Sequence, residues 1–261
     1  MKVIGHGSPV LCLHSSLSSH KQWLPLSGCL SEDYQVWLPD LLGYGSSQQV
    51  ESQASIQHSL ADEAAALLRQ LPQEVQQQPI ILIGHSFGGA VALHLARTAR
   101  LKLKAVILFE PVAFHILAAS TSPEAISLTA EVVALAEQML TLGAEDAARL
   151  FVDYWQQQDY FKQLPLRMQL QMARQVWKVP HDFHALITES ASLLDYQQIA
   201  APILLLRGKQ SRDSALMITT LFAEIWPRAC VETLDTGHMG PVTAANAVNA
   251  RIERFIRALE A

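Results

Sequence analysis

Four short runs of this chain, Pro9–Leu13, Pro79–Ile83, Leu103–Phe109 and Pro202–Leu206, are apolar at almost every position. A strand with one wet face alternates apolar and polar residues. A strand apolar on both faces must be covered on both, which is the condition of a parallel sheet between layers of helices. Each run stops at turn-forming or polar residues, and two weaker runs, Gln35–Leu38 and Cys230–Leu234, fit the same scheme. Between them, Ser55–Leu71, Ala90–Ala99 and Ala245–Leu259 carry apolar residues three and four apart, the spacing of helices with one buried face. The alternation predicts an α/β fold on a mostly parallel sheet of about six strands flanked by helices. Only Met1–Gly7 precedes the first strong strand, so little or no antiparallel edge is expected. Half of the 261 residues are hydrophobic and 16% are charged, enough apolar material for one large domain of this kind.

One region breaks the alternation. From about Pro123 to Leu194 no strand signal occurs, while helical periodicity runs through Glu124–Leu142, Ala144–Gln157 and Phe161–Trp177, punctuated by Gly143, Pro165 and Pro180. Strand signals resume at Pro202, which favours a helical lid inserted in the sheet domain over a separate helical domain. The division expected is a core of residues 1–112 and 196–261 with a lid of residues 113–195. Phe151, Trp155 and Phe161 are candidates for the lid's apolar lining.

A net charge of −5, from 19 basic against 24 acidic residues and with no basic run, argues against nucleic acid as a partner. The three cysteines, Cys12, Cys29 and Cys230, are odd in number and scattered, so they read as buried free thiols in a reducing compartment. The N-terminus lacks a signal pattern, and the longest apolar stretches are interrupted by Glu110 and His115. A cytoplasmic chain acting on a small molecule, without membrane contact, is the expectation; nothing in the sequence sets its oligomeric state.

The chemistry is announced by Gly84-His85-Ser86-Phe87-Gly88, directly after the strand run Pro79–Ile83 and directly before a helix. Glycines around a serine let the chain double back so sharply that the hydroxyl stands clear of the sheet, at the positive end of the following helix. This strand–turn–helix context is what a nucleophile elbow requires, and it marks Ser86 as a nucleophile.

On these residues the chain resembles the α/β-hydrolase superfamily, and the likeness runs nearly end to end. Leu11-Cys12-Leu13-His14-Ser15-Ser16 is similar to the loop after an early strand, where many members have His-Gly. Pro39-Asp40-Leu41-Leu42-Gly43-Tyr44-Gly45-Ser46-Ser47 is similar to the family's Pro-Asp-x-x-Gly-x-Gly-x-Ser loop, and Gly237-His238-Met239 to its histidine loop. The resemblance implies a capped serine hydrolase with His238 as general base. It implies an oxyanion hole from the backbone amides of Phe87 and Ser16, with the hydroxyls of Ser15, Ser16, Ser18 or Ser19 as added donors. Ser15 stands where the family commonly has glycine, a departure that bears on the loop's conformation. His14 is expected to brace that loop.

The acid has two candidates. Members usually carry it in a Gly-x-x-Asp turn after the strand corresponding to Pro202–Leu206, but this chain has Gly208-Lys209-Gln210-Ser211 and then, two residues on, Asp213 beside Arg212. Glu110 ends the strand next to the nucleophile's and is favoured, because some relatives place the acid there and a strand end is stiffer than a displaced turn. Asp40 and Asp235 read as turn residues. His181-Asp182-Phe183-His184 lacks a third ligand motif and reads as a solvated helix start rather than a metal site, and no phosphate-binding loop occurs, so no metal and no cofactor are expected.

The function expected is hydrolysis of a small carboxylic ester or related acyl compound through an acyl-serine. Carbon–carbon bond hydrolysis of a diketone-like substrate, or a catalytically weak ligand-binding relative, are the alternatives. Dehalogenation is disfavoured because related dehalogenases need a carboxylate at the elbow.

Overall fold

The computed structural model describes residues 1–47, 58–98 and 101–260. Residues 55–57 of the helix expected over Ser55–Leu71, and Ala99 of that over Ala90–Ala99, lie outside the described residues. Seven strands form one sheet: β1 (Lys2–Ile4), β2 (Ser8–Leu13), β3 (Tyr34–Leu38), β4 (Ile80–His85), β5 (Leu103–Phe109), β6 (Ile203–Gly208) and β7 (Cys230–Leu234). Their spatial order is β1-β3-β2-β4-β5-β6-β7, and all neighbours are parallel except β1 and β3. The antiparallel edge is only three residues long, pairing Lys2 with Leu38 and Ile4 with Val36. A strand that short carries no readable period.

The both-face apolar runs do what their composition demands. Along β4, Ile80 and Leu82 enter one buried cluster while Ile81 and Ile83 enter the other; along β5, Val106 and Leu108 part from Ala105 and Ile107 in the same way. The second cluster is closed by α1 (Leu24–Leu30), through Leu26 and Leu30, and by the C-terminal helix over Ala245–Ala258, through Val248, Ile252 and Ile256. The first is closed by α2 (Leu60–Gln70), by α4 (Phe87–Arg97) and by α12 (Asp213–Ile225), with the short α3 (Gln73–Gln76) adding Val75. Ser59 and Asp62 cap α2 reciprocally, side chain to backbone in both directions. Burying a core leucine or isoleucine on either face contributes about 1.5–3 kcal/mol.

Between β5 and β6 the described elements are all helical: α5 (Phe114–Ala118), α6 (Pro123–Thr141), α7 (Ala144–Trp155), α8 (Tyr160–Gln163), α9 (Leu166–Gln175), a 3₁₀ turn over Val176–Lys178, α10 (Val179–Thr188) and α11 (Leu193–Gln197). Within Phe161–Trp177 the punctuation expected at Pro165 is a true break between α8 and α9, because the proline forces Leu164 into extended backbone (φ −70°, ψ 149°). Pro180, read as a break, instead sits in the first turn of α10, where its missing N–H costs nothing. Of the cysteines only Cys12 is buried; Cys29 and Cys230 are exposed, contrary to the expectation of three buried thiols. No helix among the described residues is long and apolar enough to cross a membrane.

Candidate active site

Parallel register brings the expected residues together. His85 pairs with Phe109 and Phe109 with Leu206, so the residues that follow β4, β5 and β6 emerge side by side at the carboxyl edge of the sheet. Ser86 donates its amide to the Phe109 carbonyl (3.1 Å), and Glu110 donates its own to the Leu206 carbonyl (3.0 Å). Ser86 takes φ 55° and ψ −121°, a conformation that costs a non-glycine residue about 1–3 kcal/mol. The turn needs its glycines: a Cβ on Gly84 would lie 2.5 Å from the Gly88 carbonyl oxygen, and one on Gly88 would lie 2.4 Å from that of His14.

From Ser86 a chain of hydrogen bonds runs inward. Ser86 Oγ lies 2.9 Å from His238 Nε2, and His238 Nδ1 lies 2.7 Å from Glu110 Oε2. The other Glu110 oxygen accepts the Gly208 N–H at 2.5 Å, so the carboxylate is held by β6 as well as by its own strand. Glu110 is fully buried and adopts φ 42°, a second strained residue at the same edge. Asp213 is exposed at the first position of α12, while Arg212 donates to the Tyr154 carbonyl at 2.7 Å. The carboxylate in contact with His238 is therefore Glu110. Asp235 accepts from Gln210 (3.0 Å) instead of capping its own turn.

Two contacts on His238 had no signal in the sequence. Trp155, the last residue of α7, stacks on the imidazole with ring centres 3.9 Å apart. His85, the variable residue of the Gly-x-Ser-x-Gly turn, donates Nε2–H to the His238 carbonyl at 2.8 Å; burial and the nearby His238 ring push its pKa well below the ordinary value, which keeps it neutral for that bond.

The loop after β2 is pinned residue by residue. His14 donates Nδ1–H to the Ser15 carbonyl (2.8 Å) and accepts the Leu41 N–H at Nε2 (3.0 Å), a neutral ring whose pKa burial lowers to about 4. Ser15 needs no glycine-like backbone, since the left-handed position falls at Leu17 (φ 53°). The hydroxyl of Ser15 is committed to Gln22 Oε1 (3.1 Å) and that of Ser16 to Asp182 Oδ2 (2.5 Å), so neither is a spare donor. The amides of Ser16 and Phe87 find no acceptor among the described residues. Asp40 ties the glycine-rich loop: burial opposes its charge, yet hydrogen bonds from His20 and Ser46 hold its pKa at about 2.

Asp182 was expected at a solvated helix start, but it is fully buried. No group of three or more His, Cys, Asp or Glu among the described residues is placed to hold a metal ion.

Ser16, Ser86 and His238 open on one cavity of about 620 Å³, counting its mouth. Its wall is formed by Phe151, Val152, Trp155, Leu164, Met168 and Met172 from the helices, with Met239 and Val242 from the chain after His238, and among the described residues no Asp, Glu, Lys or Arg lines it. Phe161, expected in that wall, packs in the core at 1% exposure, and Tyr160 takes its place. The arrangement can hold a neutral apolar group against a serine hydroxyl whose proton has a base within reach.

The sequence profile of the Alpha/beta hydrolase family matches residues 10–251. A stretch of 102 residues is 34% identical to lipase LipV of Mycobacterium tuberculosis, covering 39% of this chain and 36% of that protein. A stretch of 96 residues is 33% identical to the pimeloyl-acyl-carrier-protein methyl ester esterase of Xanthomonas oryzae, covering 37% of this chain and 34% of that protein. The chain thus aligns with about a third of the length of these curated relatives. The crystal structure of the enol-lactonase from Burkholderia xenovorans superposes with a TM-score of 0.76 over 98% of this chain and 95% of that one, at 18% identity, a likeness of fold.

Proposed function

The chain belongs to the alpha/beta hydrolase family, and from that premise we propose that it hydrolyses a small carboxylic ester or related acyl compound through an acyl-Ser86 intermediate. The observation that carries the reading is the unbroken Ser86–His238–Glu110 chain, 2.9 and 2.7 Å, at the wall of an uncharged apolar cavity. Ser86 Oγ attacks the carbonyl carbon as His238 Nε2 takes its proton. Glu110 accepts the Nδ1–H, selects the tautomer with a free Nε2 and stabilises the imidazolium; the Trp155 face stacked on the ring adds to that stabilisation. The unpaired amides of Phe87 and Ser16 are the donors for the developing oxyanion. The imidazolium then protonates the leaving alkoxide, and a water deprotonated by His238 releases the acid and restores Ser86.

In this reading α5–α11 form the lid, with Phe151 and Trp155 presenting its apolar lining to the acyl group. Similarity to a lipase and a methyl ester esterase supports ester chemistry. Carbon–carbon hydrolysis is less well supported, because the cavity offers no charged side chain to an ionised acyl portion. The reading as a catalytically weak relative would rest on the missing Gly-x-x-Asp and the altered His14-Ser15 loop; the contact of Glu110 with His238 and the ordinary backbone of Ser15 favour an enzyme instead.

A fluorophosphonate probe and a short p-nitrophenyl ester test the proposal together. The wild-type protein is expected to be labelled at Ser86 and to turn over the ester. Ser86→Ala is expected to lose the label and about 10⁶ in turnover, with its fold intact. Turnover within a few-fold of wild type in that variant sinks the assignment.

A further inference from the structure

Below the cavity wall lies a second polar cluster that the proposed reaction does not use. Lys178 and Asp182 come from the helices between β5 and β6, Glu63 from α2, and Ser16 and Tyr44 from the loops after β2 and β3. Lys178 Nζ donates to Glu63 Oε1 at 2.9 Å and, more closely, to Asp182 Oδ1. Asp182 Oδ2 accepts from both Ser16 Oγ and Tyr44 OH at 2.5 Å. Glu63 is completed by His58 Nε2 at 2.8 Å and the Leu42 amide at 3.2 Å. Lys178, Asp182 and Glu63 are each no more than 1% exposed.

Stability alone is a poor reason for such a cluster, because apolar side chains of similar shape commonly serve a buried site as well as an ion pair does. Its connectivity supplies a better one. Of these residues only Ser16 also lines the cavity. The two residues before it are already held, His14 by Leu41 and Ser15 by Gln22, and Leu17 after it is in left-handed backbone. A hydroxyl held at a buried carboxylate sets the direction of the Ser16 Cα–Cβ bond, and with it the plane of the peptide whose N–H is unpaired.

We propose that Asp182, anchored by Lys178, is a positioning residue that aims the Ser16 amide at the oxyanion through a tether to the Ser16 hydroxyl. This rests on the reading of Ser16 as an oxyanion donor. Because α10 carries the tether, the helices that wall the cavity and the loop that receives the developing charge are registered on one another. A donor that is present but loosely aimed loses most of its value in the transition state while barely changing ground-state binding.

The test uses Ser16→Ala, Asp182→Asn and the double variant, assayed on a short p-nitrophenyl ester beside Ser86→Ala. Each single variant is expected to lower kcat about 10- to 100-fold with KM within about twofold, and the double variant to be no worse than the poorer single one. Glu189→Gln is the structural control: Glu189 ties the end of α10 to His94 (2.7 Å) and Arg97 (3.3 Å), remote from Ser16, so it is expected to lower Tm and leave kcat within twofold. Should Asp182→Asn fail to fold, Ser16→Ala decides alone, since it removes one hydroxyl at the cavity wall. Single variants with kcat within twofold of wild type, or effects that multiply in the double variant, overturn the tether while an inactive Ser86→Ala leaves the hydrolase reading standing. An active Ser86→Ala overturns both.

Discussion

At the carboxyl ends of β4 and β5, Ser86, His238 and Glu110 form a chain of two side-chain hydrogen bonds that ends on a hydroxyl at an apolar cavity. Beneath α10, the Lys178 cluster gives every oxygen of Asp182 and Glu63 at least one donor. Both are buried, both span several elements, and Ser16 brings the second to the cavity on which the first opens. They differ in saturation. The first keeps a proton that can move along the chain and backbone strain at Ser86 and Glu110; the second leaves no carboxylate oxygen without a donor. Burial would discharge Lys178, but Asp182 and Glu63 outweigh it and raise its pKa, while the same ammonium and His58 carry Glu63 down to about 2 against the cost of its burial. A sparse chain is suited to reacting and a saturated one to holding still, so changes in the first should act on rate, while changes in the second should act on stability and reach the rate only through the Ser16 tether.

The largest expected departure is in the sparse chain. Glu110→Gln should lower kcat by up to about 10⁴, since the amide can select the wrong tautomer and removes the charge that stabilises imidazolium. A urea unfolding curve should show far less effect than the rate does; a variant that loses stability but keeps its rate would dissolve the distinction. Next, Lys178→Met should destabilise the protein by about 3–5 kcal/mol, because two buried carboxylates lose their counter-charge. An unchanged urea midpoint would show that the cluster is not ionised as described.

Acid sharpens the comparison further. His14 and His115 are buried neutral, with pKa values lowered by burial to about 4. The unfolded chain takes up these protons near pH 6.5 and the folded chain only near pH 4. Stability is therefore complete above pH 6.5 and declines as pH falls towards 4, by about 2 kcal/mol for each group at pH 5. Glu63 works in a lower window: its contribution is present above pH 4.5 and is lost as pH falls towards 2. Urea midpoints between pH 7 and 5 should thus fall while the ion cluster is intact; a flat profile there contradicts the neutral histidines. The smallest effect is expected at Asp213, exposed and outside both clusters, where Asp213→Asn should leave kcat within twofold and stability within about 0.5 kcal/mol. A crippled Asp213→Asn would reverse the choice of acid.

The sheet was legible because both-face burial leaves a local trace: Ile80–Ile83 and Val106–Phe109 must be apolar at every step. The elbow was legible because Gly84, Gly88 and the following helix are close in sequence. Glu110 could be shortlisted as a polar end to an apolar run, but its contact with His238 depends on the register of β4, β5 and β6, which no single segment encodes. Asp182 was misread for the same reason, since its partners at positions 16, 44 and 178 are gathered by the fold and only the Lys178–Asp182 spacing is local. Trp155 was noticed as apolar lining, yet nothing along the chain says that its ring lies on an imidazole. Pro165 and Pro180 looked alike, and only helix phase makes one a break and the other a beginning.

The Gly208 amide that grips Glu110 places the end of β6 directly against the acid, and three residues on, the Ser211 hydroxyl is buried without a partner among the described residues. The acid is thus clamped between two neighbouring strands, so its aim at His238 is set by the sheet itself and not by the conformation of a loop.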